Sequence, residues 1–277
     1  MKRKILAITT ALIMSIAIVG CSGDKEESKE SSLEGIQKIV VASGDSSVPN
    51  SFIESGVHKG HEVDIWNEIS KRTGIPVEFI TGEFNTLFGY LDSEKADTVG
   101  NTITINEKRI EKYDFSDPYA YIPEKLVVHS DKLDIKKLKD ISGMVCGYSS
   151  GSNGGNLFEK IKEQQQIDMD LQVFDSSELL TEAFRQGKVD VIILSGAEAA
   201  YKIKENVLDA RIVEEDITVG EKAYPFLKDN EHSKEIRELV NKTLKDMKDD
   251  GTLSQIYEKW YGQDFSNAPE GYESPWK

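Results

Sequence analysis

The chain has 277 residues, with 49 Asp and Glu against 34 Lys and Arg and a formal net charge of −15. An acidic protein repels phosphate backbones and no Lys/Arg run offsets this locally, so nucleic-acid binding is disfavoured. The four histidines show no metalloprotease spacing and are predicted to be solvated loop residues, so neither a metal nor another cofactor is expected.

The N-terminus, Met1–Gly20, combines a basic head with an apolar run from Ile5 to Val19 and predicts an export signal. A membrane-spanning helix needs about 20 apolar residues, and this run has about 15. Cys21 follows Ile-Val-Gly, which resembles the lipobox of bacterial lipoproteins and implies signal removal and acylation of Cys21. Removal of Met1–Gly20, with three basic and no acidic residues, would take the formal charge from −15 to −18.

The segment after Cys21 is charged, rich in serine and free of aromatic residues from Ser22 to Gly35. Such a composition cannot bury enough apolar surface to fold, so residues 21–38 are predicted to be a flexible tether. Only Cys146 remains beyond the anchor, so no disulfide is expected and a buried inert thiol is preferred.

The body of the chain alternates short apolar runs with segments of helical period. The predicted strands, in chain order, are Ile39–Ala42, Pro76–Ile80, Asp97–Ile103, Met144–Tyr148, Leu171–Phe174 and Val189–Leu194. The predicted helices are Val63–Thr73, Asn85–Leu91, Asn106–Lys112, Leu157–Gln165, Glu178–Gln186, Ile236–Met247 and Ile256–Trp260. This alternation predicts an α/β fold in which parallel sheets are covered by helices, twice over.

The most informative stretch is NTITINEKRIEKYDFSDPY, which begins at residue 101. A strand end delivers Thr102 and Thr104, and Asn106 is predicted to cap a helix that has Arg109 in its first turn. A cation is unfavourable there because the helix N-terminus already carries about half a positive charge. Arg109 and the neighbouring donors are therefore suited to an anion, and a carboxylate can bind the guanidinium through two parallel hydrogen bonds.

The alternative for Arg109 is a surface ion pair with Asp114 or Glu111. A second anion-binding candidate is SSGSNGG, Ser149–Gly155, because Gly and Ser residues between a strand and a helix present free backbone N–H groups. This loop lacks the Gly-Lys-Ser/Thr ending and the dinucleotide spacing of nucleotide-binding loops. A plain flexible loop remains its alternative.

The stretch around Arg109 resembles the signature of family 3 extracellular solute-binding proteins, the amino-acid receptors of ABC importers, in which T-I-T-x-E-R precedes D-F-S-x-P-Y. The resemblance covers Ile39–Phe265 and includes GHEVDIW, AFRQGKVDVII and DDGTLSQIYEKWYG. It implies a two-lobed, periplasmic-binding-protein-like fold of type II, with a mostly parallel, helix-flanked sheet in each lobe. The implied boundaries are 39–118 plus 218–263 for lobe 1, 125–213 for lobe 2, 119–124 and 214–217 for the hinge strands, and 264–277 for a C-terminal tail.

The resemblance also implies roles for single residues. Arg109 matches the arginine that binds the ligand α-carboxylate, and Thr104 matches the threonine that assists it. Phe84 stands where the family stacks a ring on the ligand, although an ordinary core aromatic is the alternative. Ser149 and the rest of its loop stand where the family donates backbone N–H groups to the same carboxylate. Further similarity points to the cystine-binding branch, and the residues that carry it are Asn101 and the Ser152-Asn153 pair.

One position departs from the family. Five residues after Asp190, amino-acid binders usually have an aspartate that pairs with the ligand ammonium, and this chain has Ser195. A neutral hydroxyl cannot replace that charge. Either Asp45 or Glu198 supplies it, or the ligand is not a simple α-amino acid.

The expected function is therefore that of a monomeric binding component of an ABC importer, lipid-anchored at the extracellular face of the cell membrane. It would capture a small amino acid, cystine or another polar one, and deliver it to a membrane permease without making or breaking bonds. A cyclohexadienyl-dehydratase-like enzyme on the same fold and a ligand sensor without transport remain the alternatives.

Overall fold

The computed structural model describes residues 35–276, so the predicted export signal, Cys21 and the tether up to residue 34 lie outside the described residues. The strands are β1 (Ile39–Gly44), β2 (Ser46–Ser47), β3 (Ser51–Glu54), β4 (Val57–Lys59), β5 (Val77–Gly82), β6 (Thr98–Val99), β7 (Tyr113–Phe115), β8 (Ala120–His129), β9 (Val145–Ser149), β10 (Asp170–Phe174), β11 (Val191–Ser195), β12 (Ala210–Lys222) and β13 (Pro225–Leu227). The α-helices are α1 (His61–Thr73), α2 (Phe84–Asp92), α3 (Glu107–Ile110), α4 (Asn153–Gln165), α5 (Ser177–Arg185), α6 (Gly196–Lys204), α7 (Glu231–Asp249) and α8 (Thr252–Tyr261).

Lobe 1 is built on a parallel sheet of order β5-β1-β6, beside the antiparallel pair β13-β7. The Thr98 hydroxyl joins the two by donating to the Pro225 carbonyl at 2.8 Å. Helices α1, α7 and α8 bury their apolar faces in one core around Trp66, and α2 buries Leu87 and Leu91 in another. The small antiparallel sheet β2-β3-β4 next to α1 was not predicted, because its strands are too short to show a period.

Lobe 2 contains a five-stranded sheet of order β10-β9-β11-β8-β12. Strand β9 is parallel to β10 and β11, whereas β8 is antiparallel to β11 and β12, so this sheet is mixed rather than mostly parallel. Its two faces carry separate cores, around Phe158 of α4 on one side and Phe184 of α5 on the other. Helix α6, which the sequence pattern did not predict, completes the second core through Ala199.

The two lobes are connected by β8 and β12, which pair from Ala120 opposite Lys222 to His129 opposite Ala210. The predicted hinge segments 119–124 and 214–217 are therefore parts of two long strands. The pairing shifts register between Ile212 and Thr218, an interval that contains the predicted segment 214–217. The connection between the lobes is therefore an antiparallel ribbon with a local irregularity.

Both ends of the described chain pack more closely than predicted. Ile36, assigned to the tether, is 6% exposed and belongs to the lobe 1 core. Phe265, assigned to the tail, is buried, and its carbonyl accepts the N–H of Tyr121 in β8. Single apolar residues in polar strings give no periodicity, which explains why both were missed. From residue 35 to residue 276, no helix combines the length and apolar composition needed to cross a bilayer.

Candidate functional site

A cavity of about 480 Å³ lies between the two lobes. Nine of the ten predicted ligand-binding residues line it: Phe84, Asn101, Thr102, Thr104, Arg109, Ser149, Ser152, Asn153 and Ser195. Asp45 does not line it. Its backbone carbonyl accepts the N–H of Ile53 in the small sheet, and the adjacent Ser46 and Ser47 line the cavity instead.

The turn that carries Arg109 is fixed by local hydrogen bonds. The Asn106 side chain accepts the N–H of Arg109 at 3.0 Å, which confirms the predicted cap of α3. Thr102 has φ of 54°, in the left-handed region that non-glycine residues rarely adopt. Its N–H donates to Oε1 of Glu62 at 2.7 Å, and this bond holds the unusual conformation.

Arg109 is 8% exposed, and its guanidinium donates to the Thr104 carbonyl at 2.7 Å and, across the cleft, to the Gly151 carbonyl at 3.0 Å. Burial lowers the pKa of Arg109 to about 10, although the charge of Glu124 acts in the opposite direction, so the group is a cation at neutral pH. The alternative ion pair with Asp114 is not formed, because Asp114 pairs with Arg237 at 3.3 Å.

Two aromatic rings flank the Arg109 guanidinium. The centroids of Phe84 and Phe88 lie 6.0 and 5.2 Å from its Cζ atom, within the range of cation–π attraction. Phe84 packs against the α2 core and also lines the cavity. The ring thus contributes to the core and borders the ligand space at the same time.

The loop before α4 faces this turn from lobe 2. Gly151 has φ of 73°, and Ser152 caps α4 by accepting the N–H of Gly155 at 3.3 Å. The Asn106 side chain donates to Oδ1 of Asn153 at 3.2 Å across the cleft. The loop is therefore ordered by its own cap and by lobe 1, which argues against a plain flexible loop.

Two ion pairs connect α3 of lobe 1 to α4 of lobe 2 at the rim of the cavity. Lys108 pairs with Glu159 at 2.7 Å, and Glu107 pairs with Lys160. Each helix contributes an acid followed by a base, and the acid of each helix pairs with the base of the other. We call these four residues the rim clasp.

Sequence reasoning missed a buried ion pair in the hinge strands. Glu124 of β8 and Lys222 of β12 are 3% and 2% exposed, their charged atoms lie 2.8 Å apart, and both line the cavity. The Lys222 ammonium also donates to the Thr104 hydroxyl at 2.7 Å. A signal was present in the sequence, because Glu124 is in phase with the alternate buried residues Ile122 and Leu126.

A second buried carboxylate lies beneath the cavity in lobe 1. Glu62 is fully buried and accepts from the hydroxyls of Tyr119 and Tyr224 at 2.5 and 2.9 Å, besides Thr102. Burial would raise the pKa of Glu62, but hydrogen bonds from His61 and the two tyrosines outweigh it and lower the pKa. The predicted solvated histidine is wrong for His61, which is fully buried in this cluster.

Ser195 ends β11 and caps α6, where its hydroxyl accepts the N–H of Glu198 at 3.3 Å. Glu198 lines the cavity but pairs with Lys202 on its own helix at 2.8 Å. Glu124 and Glu198 of the cavity wall each already have a lysine partner. The cavity is also lined by Glu178, Glu182 and Glu205, and Glu124 is the most buried of the five.

Comparison with known proteins agrees with this geometry. The model of the bacterial extracellular solute-binding proteins, family 3, matches residues 39–263. The chain belongs to this family. Members of the family are extracellular proteins, and the described two-lobed α/β architecture is theirs.

Among the curated members similar to this chain, the probable amino-acid-binding protein YxeM of Bacillus subtilis is 28% identical, with 96% of this chain and 97% of YxeM aligned. The L-cystine-binding protein TcyA of the same organism is also 28% identical, over 96% of this chain and all of TcyA. Among solved structures, the putative L-cystine ABC transporter from Listeria monocytogenes superimposes with a TM-score of 0.75. It is 26% identical, and the alignment covers 84% of this chain and 99% of the Listeria chain.

Proposed function

We propose that this protein is the binding component of an ABC importer, which captures an α-amino acid between its lobes and delivers it to a membrane permease. The observation that carries the proposal is the buried guanidinium of Arg109 in the interlobe cavity. Within residues 35–276 no carboxylate pairs with it, and a cation buried without a carboxylate partner is suited to an anionic ligand.

Ligand and closure are coupled in this proposal. Arg109 and the Thr102–Thr104 turn belong to lobe 1, whereas Ser152 and Asn153 belong to lobe 2, so a carboxylate held between them favours the closed arrangement. The closed form would then engage the permease. The cavity volume of about 480 Å³ is ample for an amino acid and within the usual range of ligand sites.

The names of similar proteins suggest amino acids, with L-cystine among the first compounds to test. We further propose that Cys21 carries the lipid anchor after removal of residues 1–20 and that the protein acts as a monomer at the extracellular face. Mass spectrometry of the protein from membranes tests the anchor, since acylation would appear on an N-terminal peptide that begins at Cys21.

Binding without chemistry is favoured over the dehydratase-like alternative. Oε1 of Glu124, the most buried carboxylate of the cavity wall, accepts hydrogen bonds from Lys222, Thr104 and Asn153. An oxygen with three donors around it acts as a hydrogen-bond acceptor, whereas a catalytic acid must donate its proton to a substrate. Formation of product from a substrate of cyclohexadienyl dehydratases would contradict the proposal.

A thermal-shift panel tests the proposed function. The chain without residues 1–21 is heated with each of the twenty amino acids, L-cystine and their deaminated analogues. A ligand present at a hundred times its dissociation constant should stabilise the folded state by about 2.7 kcal/mol. Stabilisation by at least one amino acid is expected, and a panel without any stabilising amino acid would overturn the proposal.

A further inference from the structure

The cavity lacks the carboxylate that position 195 was expected to supply, yet a carboxylate lies directly across the sheet from it. In the antiparallel pairing of β11 with β8, Ser195 is opposite Glu124. Residues directly opposite in such a pair share one face, with Cβ atoms about 4.5–5.5 Å apart. Both residues also line the cavity.

We infer that Glu124 is the binding partner of the ligand's α-ammonium group. The carboxylate that the family resemblance places on β11 is supplied in this chain by the neighbouring strand β8. The inference rests on the proposed function and names the ligand class of the same site. It requires a zwitterion whose ammonium and carboxylate are attached to one carbon atom.

The hydrogen bonds of Glu124 leave one oxygen for this role. Lys222, Thr104 and Asn153 all donate to Oε1, at 2.8, 3.2 and 3.2 Å. No described residue donates to Oε2. Lys222 offsets the cost of burying the charge, and Oε2 remains free to accept from a ligand ammonium.

The position of Glu124 relative to Arg109 fits an α-amino acid. Both groups are bonded to Thr104: the hydroxyl of Thr104 donates to Glu124, and its carbonyl accepts from Arg109 at 2.7 Å. An anion site and a cation site separated by one residue can hold the two charges of one α-amino acid. Glu198 lies instead at the start of α6 and pairs with Lys202.

Glu124 would also connect ligand binding to lobe closure. Its Oε1 atom accepts from Thr104 of lobe 1 and from Asn153 of lobe 2, while its backbone belongs to the hinge. Opening the lobes must break at least one of these bonds. An ammonium bound at Oε2 would favour the closed state because it adds a charged contact where both lobes meet.

The test compares an amino acid with the same acid lacking its ammonium. The amino acid that stabilises most in the thermal panel is titrated by calorimetry against the full-length chain in detergent, beside its deaminated analogue. For L-cystine the analogue is 3,3′-dithiodipropionate, for L-glutamine 4-carbamoylbutanoate and for L-arginine 5-guanidinopentanoate. The wild-type chain is expected to prefer the amino acid by about 100-fold.

Glu124→Gln should remove this preference, with about 100-fold weaker binding of the amino acid and little change for the analogue. Because this variant leaves Lys222 buried without a counter-charge, the double variant Glu124→Gln/Lys222→Met is measured as well, and it should lose the preference too. Glu214→Gln is the matched control, since Glu214 is an exposed hinge-strand residue outside the cavity.

Three results would overturn the inference, and they differ from failure of the proposed function. A preference that survives in Glu124→Gln or in the double variant would do so. A preference lost in Glu198→Gln alone would assign the ammonium to Glu198. Equal binding of both compounds by the wild type would mean that no group recognises the ammonium. Absence of binding by any amino acid would instead contradict the proposed function itself.

Discussion

Two buried glutamates flank the turn that carries the candidate site, and they are stabilised in different ways. Glu62 accepts from the N–H of Thr102 and from the hydroxyls of Tyr119 and Tyr224, and the His61 ring lies 3.4 Å away. Glu124 pairs with the charged Lys222 and accepts from both lobes at the wall of the cavity. The first carboxylate fixes one lobe, whereas the second lies where the lobes and the ligand meet.

The difference shows how the same side chain serves structure or binding according to its donors. The hydroxyl donors of Glu62 are rigid aromatic residues, and Tyr119 and Tyr224 stack with ring centroids 4.5 Å apart. Such a network is satisfied internally and leaves no oxygen for a ligand. Glu124 has only one oxygen engaged by the described residues, so it can respond to what enters the cavity.

The largest expected effect concerns the stability role of Glu62. Glu62→Ala should lower the free energy of unfolding by about 3–5 kcal/mol, because it leaves buried hydroxyl and N–H donors without an acceptor. Urea unfolding measures this loss. The control Glu78→Ala removes an exposed ion pair with Lys38 and should cost less than about 1 kcal/mol. Similar losses of unfolding free energy in Glu62→Ala and Glu78→Ala would contradict the structural role assigned to Glu62.

The second prediction separates the two charged ends of the cavity. Arg109→Lys should weaken binding of the amino acid and of its deaminated analogue by about 100-fold alike, because an ammonium cannot form the two-point contact with a carboxylate. Calorimetry on both compounds is the measurement. Arg237→Lys, at an ion pair outside the cavity, serves as control. Unchanged affinity in Arg109→Lys would refute the assigned role.

A third prediction follows from the lowered pKa of Glu62. A carboxyl group whose pKa is lower in the folded state stabilises the protein above its unfolded pKa, and this contribution is lost as the pH falls through the folded pKa. The difference in unfolding free energy between wild type and Glu62→Gln should therefore shrink as the pH falls below the ordinary carboxyl range. Urea titrations between pH 7 and pH 3 measure this difference in unfolding free energy. A difference that grows on acidification would show that folding raises the pKa of Glu62 instead of lowering it.

The smallest effect is expected at the rim clasp. Lys108→Glu would place two like charges opposite each other at Glu159 and should weaken amino-acid binding about threefold at low salt. Glu159→Lys added to Lys108→Glu should restore most of the affinity. High salt should reduce the difference in affinity between the wild type and Lys108→Glu. Calorimetry at two ionic strengths tests both points. A double variant no better than the single one would show that the clasp does not stabilise closure.

Much of the site was predictable because its groups lie in one short stretch. Asn106 was predicted to cap a helix with Arg109 in its first turn, and the hydrogen bond between them is present. Glu124, Lys222 and Glu62 were missed because each becomes part of the site only through contacts with distant segments. The Lys222 ammonium meets Glu124 across 98 residues and Thr104 across 118.

The sequence by itself determined the alternating α/β pattern, the family resemblance and the Asn106-capped turn that carries Arg109, because periodicity and capping act over a few residues. Only the tertiary structure placed Glu124 in the cavity wall beside Ser195. Asp45 lies outside the cavity wall, Glu198 pairs with Lys202, and Glu124 is opposite Ser195 in the sheet. Strand register sets these neighbours, and it depends on how distant segments pack, which no local pattern specifies.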